Sequence, residues 1–576
     1  MTYKAATLLL VLSFLLNACG MLPNASPQQV TQAPSAETSA PTNQAERPPT
    51  ETPFQPAPPT PTATLPPTPE PAAWLAPYLP GALAQALALP QGLAFSAEPE
   101  GARVRLELAA QPTAEETGAE DFATWTYALA APFYTILDGV SSAALLQRWQ
   151  GQAGTELGKS PLILEQSTLA ALSALWGQPA EGAVEVWPPE QLVDIANQQP
   201  GRFALLPFEL LEPRWKVLQV DGISPLWKEF DPQAYPLTLH FALTGDPDLV
   251  AAVRAATTQN TPLPLLNRDP GKLTTVVLTG VTALVRATAE TMRRRGITYP
   301  AKDIGPILRQ ADIAHVSNEI PFTKDCPTPD PNQVGLVFCS DPAYIELLQE
   351  IGTDVVELTG DHFGDWGPAA MNFTLDLYDE QGWVYYGGGR NREDARQARL
   401  LEHNGNKIAF IGCNAKGGGY ATANKTNPGA VSCDFDWMHA EIARLAGEGY
   451  NVITTFQHFE YYTYKAQPNQ VKDSRGMAAA GAVIVSGSQA HQPQAFEFYQ
   501  GALIHYGLGN LFFDQYFMGV PTSQGFLDRH VFYNGRYIST ELIGIYFVDF
   551  ARPRLMTPAE RKALLTSVFN ASGWNP

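Results

Sequence analysis

Two spacings of apolar residues alternate along this chain, and the alternation sets in only near residue 73. Val104-Arg-Leu-Glu-Leu108 is apolar at every second position, which predicts a strand with one buried face. Residues 141–150 and 169–176 carry helical spacing, the first opening on a Ser suited to an N-cap. Residues 203–208, 216–220 and 235–243 are apolar runs of strand length. Residues 257–272, with three Pro and no apolar period, read as a linker. Beyond it the pattern resumes, with strands predicted at 273–279, 313–316, 354–356, 407–411, 452–456, 482–485 and 502–506. Helices are predicted at 287–295, 344–351 and 437–446. Strands alternating with helices predict layered α/β architecture. A chain of 576 residues exceeds one ordinary core. The expected units are residues 73–256, residues 273–516, and a C-terminal extension of the second unit at 517–576.

The first 72 residues follow a different rule. Lys4 precedes an apolar run from Ala5 to Leu16, too short to span a bilayer, and the run ends Leu16-Asn-Ala-Cys19. This resembles a bacterial lipoprotein signal (residues 1–19), with cleavage before Cys19 and lipid on its thiol. The expectation is an exported protein anchored to the outside of the cytoplasmic membrane, or to an outer membrane where there is one. Residues 20–72 are rich in Pro and Thr with almost no large apolar side chain, so a disordered, extended tether is expected there.

The formal charge of -20 argues against a nucleic-acid partner, which needs a basic surface. Besides Cys19 there are four cysteines, in near pairs: Cys326 with Cys339, and Cys413 with Cys433. In an exported protein two local disulfides are the natural reading, although four cysteines allow three pairings. No Cys-x-x-Cys spacing favours a zinc cluster.

Candidate chemistry gathers where the later strands run out. Ser317-Asn318-Glu319, Gly360-Asp361-His362 with Asp365, His458-Phe-Glu460-Tyr461, Gly487-Ser-Gln489-Ala-His491 and Tyr506-Gly-Leu-Gly-Asn510 each follow a predicted strand. Carboxylates and imidazoles at successive strand ends are how an α/β sheet assembles a metal site from distant segments. In this order the stretches resemble the CapA family of capsule or poly-γ-glutamate biosynthesis proteins, also called PgsA-like, over residues 273–516. The resemblance implies a calcineurin-like metallophosphoesterase fold, two sheets flanked by helices. It implies metal ligands at Glu319, Asp361, His362, His458 and His491, with His458 or His491 as proton donor. Asn318, Arg286, Asp365, Glu460 and Asn510 would support them. Two family ligands are replaced: the family's opening Asp falls at Val281, and the first His of Gly-x-His-Pro-His falls at Gln489. That reduces the expected cofactor from two ions to at most one divalent transition metal: manganese, iron or zinc. Residues 76–255 resemble a type II periplasmic solute-binding domain in the order of Ala131-Pro-Phe-Tyr, the 204–208 run and Val220-Asp-Gly222. No dense set of basic or aromatic residues there identifies a ligand.

Two functions remain open at this point. One is an accessory protein that binds an anionic envelope polymer or its biosynthetic membrane proteins. The other is a metal-dependent hydrolase or phosphoesterase acting on such a polymer.

Overall fold

A computed structural model describes residues 72–109, 121–152, 156–199, 201–416, 419 and 421–576. The signal, Cys19 and the tether up to residue 71 lie outside the described residues. From Ala72–Leu75 to Leu265–Leu266 the strands share one eleven-stranded sheet. Its middle is Ala123–Pro132, ten residues buried along their whole length. Successive side chains of that strand serve opposite faces. Tyr127, Leu129 and Ala131 join one core, while Ala128 and Ala130 join another. The second of those cores also takes in Leu273, Val531, Tyr533 and Ile538, so this sheet packs directly on the following unit.

Residues 257–272, a linker by sequence pattern, are instead packed in place. Leu265 pairs with Ala123, and buried Asn267 exchanges hydrogen bonds with the backbone of Thr126, 2.7 Å from its N–H and 2.9 Å from its carbonyl. Arg268 is buried against Phe230. An amide side chain stands in for strand pairing here, which no periodicity reveals.

From Leu273 onward two sheets face each other. In the first, Leu273–Thr279, Ile313–Asn318, Val355–Glu357 and Val384–Tyr386 run parallel in sequence order. In the second, Asn406–Asn414, Asn451–Gln457, Ala482–Ser486 and Ala502–His505 do the same. Val276, Leu278, Ile313 and Val355 of one sheet share a core with Ile408, Phe410, Ile453, Ile484 and Leu503 of the other. The outer face of the first sheet is covered by helices that include Arg286–Arg295 and Gly367–Gln381. That of the second is covered by Phe435–Gly447 and Pro468–Ala479. The result is a helix–sheet–sheet–helix sandwich in which parallel strands deliver their C-terminal ends to one edge. Disulfides join Cys326 to Cys339 and Cys413 to Cys433.

Residues 517–576 extend the first sheet itself, supplying three of its nine strands. Gln524–Tyr533 lies antiparallel to Leu273–Thr279 across seven paired residues and returns as Arg536–Val548. Asn534-Gly535, both at positive φ, make the turn.

Burial also sets an acid limit. His315 donates to or accepts from Tyr386 Oη at 2.9 Å, and His530 contacts Thr540 Oγ1 at 2.7 Å. Desolvation lowers their pKa values to about 3 and about 4. Both rings therefore bind a proton in the unfolded chain near pH 6.5 but not in the folded one, so their contribution to stability is complete above that pH. It is lost progressively as pH falls toward 4 and then 3. The denaturation midpoint is expected to drop steadily from pH 6.5 to 4, and His530→Gln should flatten part of that slope.

Candidate metal centre

Glu319 follows the strand Ile313–Asn318 directly and is 1 % exposed. Among the described residues, neither of its carboxylate oxygens has a hydrogen-bond partner. Desolvation raises its pKa, with Asp361 and Glu460 pushing the same way and His491 and His362 opposing. Gly360 makes the close approach possible: a Cβ there would sit 2.9 Å from Glu319 Cα and from its carbonyl oxygen. That lets the loop after Val355–Glu357 lie against Glu319 and bring Asp361 and His362 with it.

Ligand atoms of Glu319, Asp361 and His362 lie within 4.8 Å of one another, as do those of Glu319, Glu460 and His491. Glu319 is common to both groups. The imidazoles are held from behind. His362 Nδ1 lies 2.8 Å from Asp365 Oδ2, and since a carboxylate only accepts, Nδ1 carries a proton and Nε2 is the nitrogen left for an ion, which would displace its proton. Burial lowers the pKa of His362, but the bond to Asp365 and the Glu319 carboxylate outweigh it and hold the pKa at about 9. His491 Nδ1 meets Asn510 Oδ1 at 2.9 Å, while the Asn510 amide donates to the carbonyls of His491 and Thr522. This leaves His491 Nε2 toward Glu319 at 3.8 Å and Glu460 at 4.0 Å. A histidine fixed through one nitrogen and open at the other is the usual arrangement of a metal ligand.

The other two carboxylates are already engaged. Asp361 Oδ1 accepts from Gln457 Nε2 at 2.7 Å, and its own N–H donates to Gln457 Oε1 at 2.7 Å. Lys416 Nζ lies 2.6 Å from Asp361 Oδ2 and 2.6 Å from Glu460 Oε1. Burial works against that ammonium, yet its two carboxylate partners raise its pKa above the usual range. The carboxyls of Asp361 and Glu460 are lowered in turn, desolvation being overcome at Asp361 by Lys416 and at Glu460 by His491 and Lys416.

Four of the five ligands expected from sequence thus converge, and one does not. His458 contacts Asp473 with Nε2 at 3.1 Å, and its Nδ1 accepts from Phe459 N–H at 3.0 Å. It belongs to neither group. Beyond the end of Asn451–Gln457 it is Glu460, a supporting residue by sequence, that turns inward. Arg286 serves Asp514, donating to its carbonyl at 2.7 Å, and stacks over Phe513 at 4.6 Å. Asn318 donates to Ile320 carbonyl and Tyr378 Oη and keeps an unpartnered Oδ1 among the described residues. Val281 is buried among Ala283, Ile320 and Phe513, and Gln489 donates to Ser317 Oγ at 2.7 Å. Both replaced positions are built into the packing. Lys416 carries no motif in the sequence, although the strand-end rule applies to it, just after Asn406–Asn414.

Three carboxylates and two oriented imidazoles at the C-terminal edge of a two-sheet sandwich define a candidate divalent-metal protein of the α/β class. The model of the bacterial capsule synthesis protein family, PGA_cap, matches residues 275–515. The chain is 26% identical over 257 residues to the capsule biosynthesis protein CapA of Bacillus anthracis, covering 44% of this chain and 62% of that one. The chain thus spans less than two thirds of that relative's length. Among solved structures it is similar to a 5'-nucleotidase precursor of Thermus thermophilus, at 11% identity and a TM-score of 0.31, covering 51% of this chain and 58% of that one. An ABC-type phosphate transport receptor from Vibrio cholerae is similar at 11% identity and a TM-score of 0.27, covering 33% and 94%.

Proposed function

We propose that this protein serves the synthesis, retention or export of an anionic envelope polymer of the capsule or poly-γ-glutamate kind, as an accessory protein. A lipid on Cys19 holds it at the membrane, where the polymer or its biosynthetic membrane proteins are its partners. Its carboxylate–histidine centre holds one divalent transition metal ion and meets the anionic groups of the polymer there. The observation that carries this reading is Glu319: a buried carboxylate with no hydrogen-bond partner among the described residues, beside two imidazoles each tied back through Nδ1. An uncompensated buried charge costs several kcal/mol, so such a group is retained where a cation completes it. The family match over residues 275–515 supports a capsule-related polymer.

Glu319, His362 Nε2 and His491 Nε2 would be the ligand atoms, and three protein ligands leave a coordination position open. A bound ion supplies a Lewis-acid position for a carboxylate or phosphoryl oxygen and lowers the pKa of its water. Asp365 and Asn510 fix the two imidazoles, and Gln457 fixes Asp361. Poly-γ-glutamate oligomers should be retained by the purified protein with Mn²⁺ and released by a chelator. Equal retention with and without metal would contradict the proposal.

A second reading, a metal-dependent hydrolase, is favoured by the donor set, since carboxylate and imidazole ligands with an open position also suit hydrolysis. Shortening of the polymer by the manganese-loaded protein, lost in His491→Ala, distinguishes it from binding alone. Anchoring has its own test. Cys19→Ser should move the protein from the detergent phase to the aqueous phase, and unchanged partitioning would exclude the lipid.

A further inference from the structure

Lys416 occupies an unusual position for a lysine. Its ammonium lies 2.6 Å from a carboxylate oxygen of Asp361, in one candidate ligand group, and 2.6 Å from one of Glu460, in the other. It therefore takes a ligand oxygen from each group at once. Both oxygens of Asp361 accept a bond, Oδ1 from Gln457 and Oδ2 from Lys416, and the remaining oxygen of Glu460 is approached by Tyr462 Oη at 3.4 Å. Of the three carboxylates, only Glu319, shared by both groups, keeps both oxygens free among the described residues.

We propose that Lys416 is a built-in cation that stands where a second divalent ion would otherwise bind, and so limits the centre to one ion. This rests on the metal-centre reading above. Charge supports the count: the three carboxylates Glu319, Asp361 and Glu460 carry three negative charges, which one ammonium and one divalent ion match. Two divalent ions beside Lys416 would leave the partly buried centre with net positive charge, which is unfavourable at low dielectric. Ligand supply supports it as well. With Lys416 on Asp361 and Glu460, the members of the two groups it does not touch are Glu319, His362 and His491, enough for one ion with an open position. Without Lys416, Asp361 Oδ2 and Glu460 Oε1 return to their groups, and Glu319 can bridge two ions. Val281 and Gln489 remove ligands at two other positions; Lys416 occupies two of those that remain.

The test counts metal directly. Full-length protein and its Lys416→Met and Lys416→Arg variants are stripped with chelator, titrated with Mn²⁺, desalted, and analysed for manganese per chain. Thermal melting is recorded with and without Mn²⁺. The parent and Lys416→Arg should hold one equivalent, because both keep a cation between the carboxylates. Lys416→Met should hold two, melt lower than the parent without metal, and show the larger rise in midpoint when Mn²⁺ is added. If Lys416→Met does not fold, Lys416→Gln carries the same expectation. One equivalent or less in the neutral variant, with one in the parent, would overturn the role of Lys416 and leave the metal centre standing. Two equivalents in the parent would do the same. No manganese in parent or neutral variant would overturn the metal centre itself, and this inference with it.

Discussion

Glu319→Gln should abolish metal binding while leaving the metal-free protein at least as stable as the parent. The two halves follow from the same observation. Glu319 is 1 % exposed and its carboxylate hydrogen-bonds to nothing among the described residues, so in the metal-free protein its charge is a liability. An unpartnered amide of the same size costs about 1–3 kcal/mol, less than a buried uncompensated charge. With metal present the order reverses. A ligand that binds only the folded state stabilises it by about 2.7 kcal/mol at a hundred times its Kd, and the variant forgoes that gain. Loss of a residue that merely orients a ligand weakens metal binding by about 10–100-fold, so loss of the ligand shared by both groups should exceed that. Melting curves with and without Mn²⁺ read both halves. A variant that loses stability without metal and still responds to it would show Glu319 to be a packing residue.

A chain ending at residue 516 is expected not to fold. The matched family segment closes at 515, which makes this an inviting place to truncate. The cut would nonetheless remove Gln524–Tyr533, the antiparallel neighbour of Leu273–Thr279, leaving a central strand as an unpaired edge. It would also remove buried Phe526, Leu527, Val531 and Phe532, and with them Leu564, Val568 and Phe569 of the helix Pro558–Ala571. Each large buried side chain is worth about 3–5 kcal/mol against Ala, so the sum exceeds the roughly 5–15 kcal/mol by which domains are stable. The milder change Phe532→Ala should cost about 3–5 kcal/mol by itself. Soluble, cooperatively melting protein from the truncated chain would show that the hairpin is an appendage.

Much of the sandwich is legible in the sequence because its parallel strands are short apolar runs bounded by turns, with helical spacing at 287–295 and 437–446 between them; the helices Gly367–Gln381 and Pro468–Ala479 are not among those expected. Residues 407–411 and 452–456 fall within the strands Asn406–Asn414 and Asn451–Gln457. Ala123–Pro132 gives no such signal, for the opposite reason. A strand buried on both faces has no alternation, and its Ala residues favour helix while its Thr residues favour strand. The hairpin after residue 524 reads as an extension because its partner lies some 250 residues earlier, a pairing that local pattern does not encode.

At the site, strand ends tell where ligands fall but not which way each side chain turns. His458 and Glu460 illustrate this. Both follow the strand Asn451–Gln457, and imidazole is the more inviting ligand, yet Asp473 on the helix Pro468–Ala479 draws His458 away. Lys416 is subtler. A lysine near a strand end usually points to solvent, and only the three-dimensional approach of Asp361 and Glu460 makes it part of the centre.

The central claim, a cation centre organised on Glu319, is tested most directly by anomalous diffraction from crystals of the protein soaked in Mn²⁺. The expected result is a single strong peak within bonding distance of Glu319, His362 Nε2 and His491 Nε2, with Lys416 still between Asp361 and Glu460. Saturating Mn²⁺ with no peak beside Glu319 would contradict it.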